Sequence, residues 1–114
     1  VPAETVLAQI DAVVDDLGVD CVKIGMIGGA FTANLVADRL QKLPGTPIVF
    51  DPVMIATSGA ALADEATIDA FGRLMDVATI ATPNLPELHR LTGKEVPVEG
   101  ALGLVSKHRC GVLV

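Results

Sequence analysis

The chain has 114 residues, 51% of them hydrophobic, only three aromatics (all Phe), and 8 Lys and Arg against 14 Asp and Glu, a formal net charge of −6. That length is one domain's worth of core, and aliphatic side chains must build it, as buried parallel sheets usually require. The acidic balance, without a basic stripe, argues against a nucleic-acid partner. No run approaches the ~18 consecutive apolar residues of a membrane span, and no signal-peptide pattern is present.

In chain order, helical and strand-like patterns alternate. Val6, Leu7, Ile10, Val13, Val14 and Leu17 recur at helical spacing over 3–17, with Gly18 as a stop. Residues 20–24 read as a strand and Gly25–Ala30 as a glycine-rich loop. A second helix is predicted over 32–42, with Leu35, Val36, Leu40 and Leu43 on one side. Pro44-Gly45-Thr46-Pro47 breaks it before a strand at 48–51. Asp64 and Glu65 open a third helix over 64–75, where acidic groups complement the helix dipole. A strand at 78–81, a short helix over 84–92 ending at Gly93, a helix at about 99–108 and a strand at 111–114 complete the pattern. Strands separated by helices of this length imply βαβ units and a parallel sheet with right-handed crossovers. The carboxyl ends of four such strands share one edge, which brings Met26, Asp51 and Asn84 together where open α/β sheets bind ligands.

Asp51 ends a strand and precedes Pro52, which holds it extended and sends the chain over the sheet edge as a loop. A carboxylate there can hold magnesium or a magnesium-bound water, or cap a nearby turn. Asn84-Leu85-Pro86-Glu87 reads as a capping box with Pro in the first turn, which is compatible with the same amide and carboxylate lying beside phosphates. The loop at Gly25-Met26-Ile27-Gly28-Gly29 is not a dinucleotide fingerprint, because Ile27 stands where the second glycine is needed. Met26 can instead line a pocket for a flat apolar ligand, or fill core space. Thr57-Ser58-Gly59-Ala60-Ala61 is small and polar enough to wrap an anion. Lys23 reads as a strand-end charge reaching solvent, and His89 and His108 as surface residues. Cys21 and Cys110 fit no metal or redox spacing and read as reduced core thiols, with the cytoplasm as the default compartment.

Taken in order, Val22-Lys23-Ile24-Gly25-Met26, Asp51-Pro52-Val53-Met54 with Ala56-Thr57-Ser58-Gly59, and Thr82-Pro83-Asn84-Leu85-Pro86-Glu87 resemble the hydroxymethylpyrimidine and phosphomethylpyrimidine kinases of the ribokinase-like superfamily. The resemblance covers essentially the whole chain. It implies an α/β fold, a ribokinase-like three-layer sandwich (partial here) with a mostly parallel sheet flanked by helices. It also implies transfer of the ATP γ-phosphoryl group to a pyrimidine hydroxymethyl and then to the monophosphate, with Mg2+ and ATP required. Met26 and Val53 would line the pyrimidine pocket. Asp51, Thr57, Ser58 and Asn84 would face phosphates or nucleotide, and Asp51 and Glu87 would serve the metal. A homodimer is implied by the resemblance alone.

The family's early substrate segment is absent, and so are its glycine-rich anion hole and catalytic base. Residues 1–114 therefore read as the central portion of one kinase domain, an excerpt from a longer polypeptide that is inactive alone, its base expected beyond Val114. Two alternatives stay open: a pyridoxal or pyridoxine kinase of the same superfamily, and a non-catalytic α/β binding module.

Overall fold

The computed structural model describes residues 2–43, 45–54 and 64–114. Five helices and four strands are seen among them: α1 (Ala3–Asp16), β1 (Val22–Ile24), α2 (Ala30–Leu40), β2 (Ile48–Phe50), α3 (Glu65–Val77), β3 (Ile80–Ala81), α4 (Leu85–Thr92), α5 (Pro97–His108) and β4 (Gly111–Val112). The strands form one parallel sheet in the order β1-β2-β3-β4, so spatial order repeats chain order. Each element anticipated from the residue pattern is present. The last helix begins two residues early because Pro97 occupies its first turn, where a missing N–H costs no bond.

The register sorts the strand residues into two faces. Ile24, Phe50, Ala81 and Val112 stand in one row across the sheet. This row packs under the helices with Val36 and Leu40 of α2 and Phe71 and Leu74 of α3 in one continuous core. Phe50 and Phe71 meet edge to face, ring centroids 5.2 Å apart at 80°, and both are buried. Lys23, Val49, Ile80 and Gly111 form the neighbouring row, which points the opposite way. Val49 and Ile80 stay outside the core cluster, and among the described residues no helix covers this second face.

Helix α1 departs from expectation. Its stripe predicts a buried face, yet Ala3 is its only buried residue, and Val13 and Leu17 are 49% and 80% exposed. It is held to α2 by the ion pair between Arg39 Nε and Asp11 Oδ1, 2.5 Å. The expectation of two core thiols holds for Cys110 alone. Both cysteines are free, but Cys21 is exposed because it lies just ahead of the edge strand. His108 is likewise no surface residue. Its side chain is 7% exposed, wedged against α3 with Nδ1 2.7 Å from Asp76 Oδ1, beside Gly72, where no side chain competes for the space. Lys23 and His89 are exposed, as read from the sequence.

Candidate functional site

The parallel ladder places the chain exits side by side. Asp51 N–H donates to Ile24 O at 2.9 Å, Thr82 N–H to Phe50 O at 2.9 Å, and Leu113 N–H to Ala81 O at 3.0 Å. The residues following β1, β2 and β3 therefore emerge on one edge, with Gly25-Met26, Asp51-Pro52-Val53 and Thr82-Pro83-Asn84 as neighbours. Pro52 and Pro83 are fully buried there and fix the direction in which each loop departs.

Asp51 sits in a tight turn, its carbonyl accepting from Val53 N–H at 2.8 Å. The backbone makes that turn. Among the described residues the Asp51 carboxylate has no hydrogen-bond or ion-pair partner. Its side chain remains partly accessible and available to a ligand.

Asn84 and Glu87 form the capping box. Asn84 Oδ1 accepts from Glu87 N–H at 2.8 Å, and Glu87 Oε1 accepts from Asn84 N–H at 2.9 Å. Pro86 lies in the first turn of α4, and Gly93 closes the helix in the left-handed region at φ 68°. Glu87 is buried to 9% exposure, while Asn84 is exposed. The cap uses one carboxylate oxygen, and among the described residues Oε2 has no hydrogen-bond partner and is not a buried orphan. One residue can thus close its helix and still present negative charge at the sheet edge.

Met26 is 68% exposed and is not core filler, whereas Met54 at 6% is. Val53 is half-buried beside Asp51. Thr57 and Ser58 lie outside the described residues. Phe31, 66% exposed in the first turn of α2, was passed over in the sequence although it occupies the same edge. Its position off the Val36–Leu40 stripe is the clue that separates it from the two core phenylalanines.

Among the described residues no three His, Cys, Asp or Glu side chains cluster closely enough to cage a metal unaided. The donor set nonetheless suits magnesium, which keeps several waters and is held through one or two carboxylates together with phosphates. Among the described residues, Asp51 and the second oxygen of Glu87 are carboxylate groups in the segments that leave this edge.

Comparison with known proteins decides what these residues belong to. Residues 1–107 match the phosphomethylpyrimidine kinase family. The chain belongs to that family. Over 94 residues it is 42% identical to the hydroxymethylpyrimidine/phosphomethylpyrimidine kinase of Haemophilus influenzae, covering 82% of this chain and 35% of that protein. The phosphomethylpyrimidine kinase of Clostridium difficile 630 superposes with a TM-score of 0.83 at 27% identity, covering 94% of this chain and 49% of the other. A pyridoxal kinase of Leishmania donovani, solved with ADP and pyridoxamine, shares the fold with a TM-score of 0.79 at 19% identity, over 95% of this chain and 42% of that one. These neighbours bear out the ribokinase-like parallel sheet flanked by helices. The chain spans about a third of the curated kinase and half or less of the solved structures.

Proposed function

We propose that this chain is the central, phosphate-handling part of a parent enzyme. The parent phosphorylates 4-amino-5-hydroxymethyl-2-methylpyrimidine and then its monophosphate at the expense of ATP in thiamine biosynthesis. One observation carries the reading. In a member of the phosphomethylpyrimidine kinase family, a carboxylate without a described partner, Asp51, shares a strand-end edge with the reciprocally capped Asn84 and Glu87.

The reaction forms a bond between the substrate hydroxymethyl oxygen and the γ-phosphorus while the bridging β,γ oxygen leaves with ADP. Catalysis of such a transfer is mainly positioning and charge neutralisation. Magnesium, when bound, would screen the phosphate charge. Asp51 would hold it or its water, and Glu87 would act through water from a carboxylate already fixed by its helix cap. Asn84, Thr57 and Ser58 would face phosphate or nucleotide, and Met26 and Val53 would flank the flat ring. The hydroxyl proton needs a base, and none is assigned here; it belongs to the remainder of the parent. The parent is read as a cytoplasmic enzyme, a reading that the unpaired Cys21 and Cys110 of this chain support, and, on the resemblance alone, as a homodimer.

The test is a phosphorylation assay of the complete parent with hydroxymethylpyrimidine, its monophosphate and pyridoxal side by side, with magnesium-ATP binding measured separately. The pyrimidines should be the preferred acceptors. Preference for pyridoxal would replace the reading with a vitamin B6 kinase, and absence of both turnover and nucleotide binding would leave a non-catalytic module.

A further inference from the structure

A cavity of about 210 Å³ lies between α4 and α5, with Leu91 and Leu104 as its apolar walls. The helices come close there because Gly100 has no side chain: a Cβ on it would stand 3.0 Å from Thr92 Oγ1. Farther along α5, Gly103 leaves the space open, with nothing within 4 Å of a Cβ built on it. The charged lining is uneven. Lys94, Lys107 and His108 stand against one carboxylate, Glu99, in a chain whose net charge is −6. His108 closes α5 just ahead of β4, so it belongs to the amino end of that strand and not to the carboxyl edge that carries Asp51 and Asn84.

Two of the three basic residues are held in place. Thr92 Oγ1 accepts from Lys94 N–H at 3.1 Å and donates to Leu88 O at 2.8 Å, while His89 Nδ1 lies 3.1 Å from Lys94 O. The turn that carries Lys94 is thereby tied back to α4. His108 is fixed more firmly. Its side chain is 7% exposed, and Nδ1 lies 2.7 Å from Asp76 Oδ1 on α3. A carboxylate only accepts, so Nδ1 carries the proton and the orientation of the ring is set. Among the described residues Nε2 has no hydrogen-bond partner, yet it is not sealed away as a buried orphan. The small exposure that the ring keeps includes this atom, and the ring lines the cavity.

A mostly buried nitrogen with no partner needs a complement. A phosphate monoester supplies one in either state of the ring. Charged Nε2–H donates to a phosphate oxygen, and neutral Nε2 accepts from the P–OH of the monoprotonated ester; an ionised carboxylate can serve only the first. Lys94 and Lys107 supply the opposing charge. The space is smaller than the ~300 Å³ at which pockets for drug-sized ligands begin, which suits a phosphate group on a short carbon stem lying against Leu91 and Leu104.

We propose that the cavity between α4 and α5 binds a small phosphate monoester through His108 Nε2, Lys94 and Lys107, with the imidazole held by Asp76. This binding is separate from the phosphate chemistry proposed for Asp51, Asn84 and Glu87 and stands whatever reaction the parent catalyses.

The test is a titration of the intact parent with glycerol 2-phosphate, followed by NMR, against potassium chloride at matched ionic strength. The Gly103 amide and the His108 Cε1–H should shift saturably with the ester and not with chloride. Lys107→Ala should weaken binding about tenfold, the loss expected for one charge-assisted contact. Gly103→Leu fills the cavity with a better helix former, so it should abolish the saturable shift without lowering the melting temperature. No saturable shift at either nucleus, an equal response to chloride, shifts confined to the loops after β2 and β3, or wild-type affinity in either variant would each overturn the site. The shift measurements need only wild-type protein, so they decide the matter even if a variant fails to fold.

Discussion

Asn84 and Glu87 satisfy each other at the mouth of α4, side chain to backbone in both directions, at 2.8 and 2.9 Å. The carboxylate's cap bond and its charge are separable. Glu87→Gln keeps an oxygen that can accept from Asn84 N–H, so chemical denaturation of the parent should change by less than about 1 kcal/mol. Turnover should fall by about 10²-fold or more if the charge serves the metal and phosphates. Wild-type turnover in Glu87→Gln would reduce the residue to a helix cap.

Phe71 supports the site from beneath. It is 1% exposed and packs its ring against Phe50, the residue just before Asp51. Phe71→Ala should cost about 3–5 kcal/mol of unfolding free energy, measured by denaturant titration. A loss below about 1 kcal/mol would mean that the cavity collapses freely and that this ring pair does not organise the core.

Asp64 opens α3 as its N-cap, accepting from Thr67 N–H at 2.8 Å. Hydrogen bonds from the Thr67 side chain and then its backbone hold the Asp64 carboxyl below its ordinary 3.8. A depressed carboxyl adds stability above its unfolded value, and that stability is lost as pH falls through the folded value. The wild-type curve should therefore drop on the acid side below about 4, and Asp64→Asn should flatten it. Superimposable slopes from melts across this range would remove Asp64 from the acid response.

Cys110 is 1% exposed, and burial, with a smaller contribution from the nearby Asp76 carboxylate, pushes its thiol up. A neutral, buried thiol is a poor nucleophile. Native protein at pH 8 should leave Cys110 unmodified by a disulfide reagent until denaturant is added, as read by mass spectrometry of the modified peptide. Prompt native labelling of Cys110 would show that β4 and the end of α5 open readily.

The elements were legible because their punctuation is local. Gly18, the Pro44–Pro47 break and the Asn84–Glu87 box each act within a few residues, and Gly93 closes α4 in the conformation glycine adopts at least cost. What the sequence concealed depends on partners distant in the chain. The helical stripe of α1 states that the helix wants an apolar neighbour, not that one is present, so the exposure of Val13 could not be read from periodicity. His108 looked like an ordinary helix-end charge because its burial comes from Asp76 and Gly72 on another helix. Cys21 looked apolar by residue type, and only its place beside the edge strand exposes it. At the site, Asp51 and Asn84 were visible as strand ends. The side-by-side exit of their loops follows from a register that pairs Phe50 with Ala81.

The agreement between spatial and chain order has a consequence for how the molecule assembles. Every ladder joins strands that are successive in the sequence, so no pairing must wait for a distant part of the chain, and closure entropy is met one crossover at a time. The sheet can grow by accretion, each finished strand serving as template for the next. A nick in the connection between β2 and β3 would leave two pieces, β1-β2 and β3-β4, held together by the β2–β3 ladder and the packing of α2 on α3, each carrying part of the candidate edge: Asp51 on the first, Asn84 with Glu87 on the second.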